Sequence, residues 1–148
     1  LPNFDFCLVW SLIYTNFKDN YVGDLDYLIS HNAVFTNLRL YKAGKINSPT
    51  CEFCTLFPED VYHLFVCCQS IQSLWNFVFD IIFSACNVNT FNTKERVLMM
   101  LFGYPDKTDK YEYTLINIVL SLSRYSIHSR RLAYKRCTRK IHLVKYFK

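Results

Sequence analysis

Four residues in an eighteen-position stretch have the types and spacing for metal chemistry: Cys51, Cys54, His63 and Cys68, in the pattern C-x2-C-x8-H-x4-C. Two cysteines three apart, on either side of a tight turn, can aim both thiolates at one ion. A histidine and a further cysteine on the following segment then complete a tetrahedron. Soft thiolate and imidazole donors at four-coordinate geometry suit Zn²⁺ better than Mg²⁺ or Ca²⁺. With every position taken by protein, the predicted role of one such ion is structural, because none is left for a catalytic water. Cys67 competes for the fourth place. On an unbroken helix His63 and Cys67 share a face at i, i+4, and Cys68 requires a distortion between them. A redox C-x-x-C pair normally follows a strand and opens a helix, whereas here Pro49 and Thr50 precede the pair and Leu56-Phe57-Pro58 follows it. The 7 cysteines do not space like a secreted disulfide framework.

The elements that must hold these residues read as helices joined by short polar turns. Leu25, Leu28 and Ile29 recur at helical spacing in a helix over 24–33. Thr36 is placed to cap a short helix over 37–43, with Gly44 as its C′ residue. From Pro58 the pattern predicts a long helix, opened by Glu59 and Asp60 and striped by Leu64, Ile71, Leu74, Trp75, Val78, Ile81 and Ile82. Asn92-x-x-Glu95 reads as a capping box for a helix through Phe102, stopped at Gly103. Thr108 is the expected cap of a final helix, apolar from Leu115 to Leu122. The fold class is mainly α, a helical domain around a small CCHC knuckle, with room for a short β-hairpin at the cysteine turn. The regions read as a flank over 1–24, a metal-binding region over 25–86, a helical region over 87–136 and a basic tail over 137–148.

Composition narrows the class. The 148 residues are 51% hydrophobic and 18% aromatic, with 3 Gly and 4 Pro, too apolar for disorder. That much apolar content in a short chain predicts aromatic surface meant for a partner or a neighbouring domain. The initial Leu fits a piece of something longer. No run approaches the ~20 apolar residues of a membrane span, and no signal peptide is recognisable. Free thiols around a metal site point to a reducing, intracellular setting, nucleus or cytoplasm. Charge is asymmetric: all 12 Asp/Glu lie before residue 113, and the last 36 residues carry 9 of the 17 Lys/Arg. An acid-free basic segment is a prior for contact with polyphosphate.

The run Leu28-Ile29-Ser30-His31-Asn32-Ala33, then Thr36-Asn37 and Leu40-Tyr41-Lys42-x-Gly44, leads through Ser48-Pro49 to the cysteine pair. Glu59-Asp60, His63-Leu64-Phe65-x-x-Cys68 and Leu74-Trp75 follow. This resembles the zinc-binding segment C-terminal to the reverse transcriptase of non-LTR (LINE-type) retrotransposons. The likeness extends to Lys94-Glu95, Leu101-Phe102-Gly103 and Leu115-Ile116-Asn117, covering about residues 25–136. Its H-L-F-x-x-C element selects Cys68 over Cys67. Such polymerases hold two Mg²⁺ on paired aspartates. This sequence has no adjacent Asp pair, and no endonuclease element is recognisable. The segment is therefore expected not to be an enzyme, although its parent would be an RNA-directed DNA polymerase.

The resemblance implies a role in gripping template RNA or target DNA for target-primed reverse transcription, alongside the reverse transcriptase domain of the parent polyprotein. No membrane and no small-molecule substrate is expected. Candidate contacts are Lys42 and Lys45 beside the knuckle, then Arg124, Arg130, Arg131, Lys135, Arg136, Arg139 and Lys140 along the basic segment. Tyr41 joins them as an aromatic, and single strands are held by stacking in a basic groove. The competing expectation is a structural or protein-interaction module, or a decayed transposon remnant, in which zinc only fixes the fold.

Overall fold

The computed structural model describes the backbone of residues 6–88 and 90–146 and the side chains of 7, 10–88 and 90–136. It is mainly α-helical. The helices are α1 (Phe6–Ile13), α2 (Asn20–Ser30), α3 (Asn37–Lys42), α4 (Gln69–Ala85), α5 (Thr93–Phe102) and α6 (Lys110–Tyr146), with a π-helical turn over His63–Cys67 before α4. Helix α1 lies in the flank that sequence left without structure. Helix α6 runs on through most of the segment read as a tail.

Local signals placed two elements well. The Thr36 hydroxyl accepts from the Arg39 N–H at the start of α3, and Gly44 follows its end at φ 65°. At α5 the Asn92 side chain accepts from the Glu95 N–H while the Glu95 carboxylate accepts from the Asn92 N–H, and Gly103 closes the helix at φ 94°. A Cβ on Gly103 would stand 2.6 Å from Asn117 Oδ1. That close approach lets Asn117 pair with both backbone groups of Tyr104 and fix α5 against α6.

Three expectations need correction. Pro58 does not open a helix: it forms a single antiparallel bridge with Thr50, and this bridge fills the room left for a hairpin. Asp60 starts the helical turn instead, its carboxylate accepting from the His63 N–H at 2.6 Å and its carbonyl from Leu64. The cap of α6 is Asp109, which accepts from the Glu112 N–H, whereas the Thr108 hydroxyl donates to Asp106.

Helix α6 packs against α2, α4 and α5, and the π-turn packs against α4, α5 and α6. One core runs through all of them, including Leu25, Leu64, Phe65, Trp75, Ile116 and Leu120, together with the metal-type residues Cys51 and Cys68. Among the described residues no helix is long and apolar enough to cross a membrane.

Candidate metal centre

Cys51 and Cys54 flank a tight turn in which Thr55 N–H donates to the Cys51 carbonyl at 3.0 Å. Thr55 sits at φ 56°, a left-handed conformation that β-branched residues rarely take. The turn is stitched to the following segment by Cys51 N–H to Phe57 O and Glu59 N–H to Pro49 O, both 2.8 Å. These bonds bring the first two thiols to the mouth of the His63 turn.

The distortion that Cys68 required is present. Its N–H donates to the His63 carbonyl at 2.9 Å, five residues back, and its own backbone (φ −59°, ψ 125°) leaves the helix before α4 begins. The wide turn rotates Cys67 outward, where it is exposed, and turns Cys68 inward, where it is fully buried. An irregular turn leaves carbonyls without helical donors, a serious loss in a core. Side chains of α4 repair it: Trp75 Nε1 donates to Phe65 O at 2.8 Å, and Gln72 Nε2 to Val66 O at 2.7 Å.

The ligand atoms of Cys51, Cys54, His63 and Cys68 all lie within 4.8 Å of one another. Cys51 Sγ is 3.9 Å from Cys68 Sγ, and Cys54 Sγ is 3.3 Å from His63 Nε2. A tetrahedron with metal–sulfur bonds of about 2.3 Å has edges of about 3.8 Å. The donor set is therefore spaced to hold a metal ion, and all four predicted ligands are brought together.

Electrostatics agree. Burial pushes the Cys51 thiol up to about 12, with the neighbouring Cys68 and Cys54 sulfurs adding to it against backbone donors from Cys54 and Phe53. Burial likewise raises Cys68, although Ser70 donates to its sulfur through both N–H and hydroxyl. For Cys54 burial works in the same direction but loses. Backbone N–H groups of Leu56 and Phe57, with bonds to His63 and Cys51, bring it down to about 6. Two buried thiols that resist ionisation alone become thiolates once a cation supplies the missing charge.

A buried ion pair clamps the site to the last helix. Glu59, 0% exposed, accepts from Arg131 Nε at 2.8 Å, from the Asn37 N–H and from the Glu52 N–H. Arg131 also donates to the Phe35 carbonyl. Asn37 bonds Thr50 O and Glu52, and Lys135 Nζ donates to Asn37 Oδ1. Sequence reading missed this network, having assigned Glu59 to a helix start and to the run that carries the resemblance.

These contacts revise the basic candidates. Arg131 is 1% exposed and held by Glu59, so it cannot reach a phosphate. Arg124, also 1% exposed, grips Asp26 through Nε at 2.7 Å and Nη2 at 3.0 Å, and donates to the Met99 and Met100 carbonyls. Lys135 is half-buried against Asn37 and Glu52. A signal for the arginines was available: Ile116, Leu120, Arg124, Ile127 and Arg131 follow one another at helical spacing, so both lie in the apolar stripe of α6. Lys42, Lys45, Arg130 and Arg136 are exposed. The side chains of Arg139 and Lys140 lie outside the described residues.

Compared with protein-family models, with curated proteins and with solved structures, the chain matches none.

Proposed function

We propose that this chain is a zinc-stabilised nucleic-acid-binding segment from the C-terminal part of a LINE-type reverse transcriptase. In this reading it holds template RNA or target DNA while a polymerase elsewhere in the same polyprotein primes synthesis at a nick, in the nucleus or cytoplasm. It carries out no chemistry of its own. Three thiolates and one imidazole at near-tetrahedral spacing favour Zn²⁺ over hard cations, and the complete protein set gives the ion a structural role.

One observation carries the reading. The four-ligand cluster is clamped between α3 and α6 through Asn37, Glu59 and Arg131, and exposed cations stand on both clamps. Lys42 and Lys45 lie at the end of α3 and just beyond it, Arg130 and Arg136 on α6. Arg136 shares an open groove with Leu40 of α3. Exposed cations on elements joined by a buried clamp suit a phosphate backbone.

Elemental analysis of the purified chain is expected to find one zinc per molecule. Binding to RNA or DNA should weaken with salt, log K falling per tenfold rise in salt by about 0.9 for each contacted phosphate on duplex and about 0.7 on single strands. Charge reversal at Lys42, Lys45 and Arg136 together should lower that slope. Affinity that does not change with salt, or a folded protein without metal, overturns the proposal.

A second reading is favoured by exposed aromatics: Trp10, Tyr14, Tyr21 and Phe35. Under it the segment docks on another protein and zinc only fixes the fold. The same measurements separate the two, since this reading retains zinc and shows no affinity for RNA or DNA at low salt.

A further inference from the structure

An open groove of about 400 Å³ lies between the cysteine turn, the start of α4 and the middle of α6. Its knuckle side is made by Phe53, which stands between the ligands Cys51 and Cys54, and by Ser70, which donates to the Cys68 sulfur. Ser73 continues that wall. Ser126, Arg130 and Tyr134 form the α6 side. Arg130 is the only charged side chain in the lining, and it makes no hydrogen bond or ion pair among the described residues. In this it differs from Arg124 and Arg131, which are buried and paired. Tyr134 is 46% exposed and meets the Phe53 ring edge-on at 5.8 Å between centroids.

A guanidinium without a partner among the described residues, the Ser73 and Ser126 hydroxyls and an aromatic corner, with no carboxylate, form a surface for an anion carrying a flat ring. The volume is at the small end of ligand cavities, roughly 300–1,000 Å³, the scale of one nucleotide. Paired bases are stacked away inside a helix, whereas an unpaired base offers its face to an aromatic side chain.

We propose that this groove seats one unpaired nucleotide of a single strand, its base against Tyr134 and Phe53 and its phosphate at Arg130 and the Ser73 and Ser126 hydroxyls. The inference rests on the nucleic-acid reading above and adds where the strand enters and in what form. The metal-binding turn contributes Phe53, and Ser70 of α4 donates to the Cys68 sulfur, so an ordered metal site and an ordered groove go together.

The test uses the zinc-loaded chain and fluorescence anisotropy with a short oligouridine, an oligodeoxythymidine of equal length and a duplex of that length. Tyr134→Ala and Arg130→Gln should each weaken single-strand binding about tenfold, and Tyr134→Ala should leave duplex binding within about twofold, since stacking is lost only where a base is unpaired. Tyr134→Phe, which retains the ring, should bind as the unaltered chain does. Loss on both strands supports a site for base and phosphate, and loss on oligouridine alone supports one that engages the ribose hydroxyl. Zinc content and circular dichroism of each variant establish that it is folded. A photocrosslink from 5-iodouridine to Tyr134 or Phe53 gives a readout in the unaltered chain. Unchanged single-strand affinity in folded variants, with binding by the unaltered chain intact, overturns the groove and leaves the function standing. Equal losses on duplex and single strand with Tyr134→Ala also overturn it. Failure of the unaltered chain to bind any of the three at low salt removes both proposals together.

Discussion

Cys67 and Cys68 are adjacent thiols with opposite surroundings, and the backbone between His63 and Cys68 decides which one joins the cluster that could hold a metal. An ordinary helical turn would carry Cys67 onto the His63 face. The π-turn adds a residue to the ring, exposes Cys67 and buries Cys68 beside Cys51. Cys68→Ser is therefore expected to lose metal, with affinity falling by more than the roughly hundredfold that removing even an outer partner of a ligand can cause. Cys67→Ser should retain one ion per chain. Competition with a chromophoric chelator reads both, and equal losses would contradict the assignment. Spacing made all five candidate side chains visible in the sequence. It could not choose between the two cysteines, because the donors that stabilise the irregular turn, Trp75 and Gln72, act from the next helix.

Between elements, the decisive contact is Glu59 with Arg131, which joins the metal-binding region to α6 across 72 residues of sequence. Both side chains are almost wholly buried. Removing one partner leaves a charge in the core, a loss of about 3–5 kcal/mol in comparable buried pairs. Arg131→Met should lower the urea midpoint accordingly and weaken metal binding, since Glu59 also holds the N–H groups of Asn37 and Glu52. Combining it with Glu59→Gln should recover part of the loss. Additive losses would show that the two residues act separately. Elements defined by their own ends were legible: Thr36 and Gly44 bound α3, and the Asn92–Glu95 box opens α5. Elements defined by distant partners were not. The basic run of α6 suggested an outward face because composition records charge and not the opposite charge it meets. The i, i+4 register of Arg124 and Arg131 with Ile116, Leu120 and Ile127 held the correction.

Across the whole molecule, α6 closes the fold through a second buried centre. Asp26 lies on the inner face of α2 with Val22, Leu25 and Ile29. It receives Arg124 from 98 residues away, Lys18 at 2.7 Å and the Ser121 hydroxyl. Burial alone would raise its carboxyl, but the Arg124 guanidinium and the Lys18 ammonium outweigh burial and hold it below the usual carboxylate range. A carboxylate with a depressed folded-state pKa contributes stability that is fully present above its unfolded value of about 3.9, and loses it as pH falls through the folded value. Acidification should therefore weaken the packing of α6 on α2 and α5, because protonated Asp26 leaves two buried cations without their partner. Asp26→Asn imposes that state at neutral pH and is expected to cost about 3–5 kcal/mol. The variant should then lose less further stability below about pH 4, where the unaltered chain loses the most. Thermal melts of the two proteins across that range should converge as pH falls. Curves that stay parallel to the lowest pH would mean that Asp26 is not the group linking acid to unfolding, and that α6 is held on α2 by apolar packing alone.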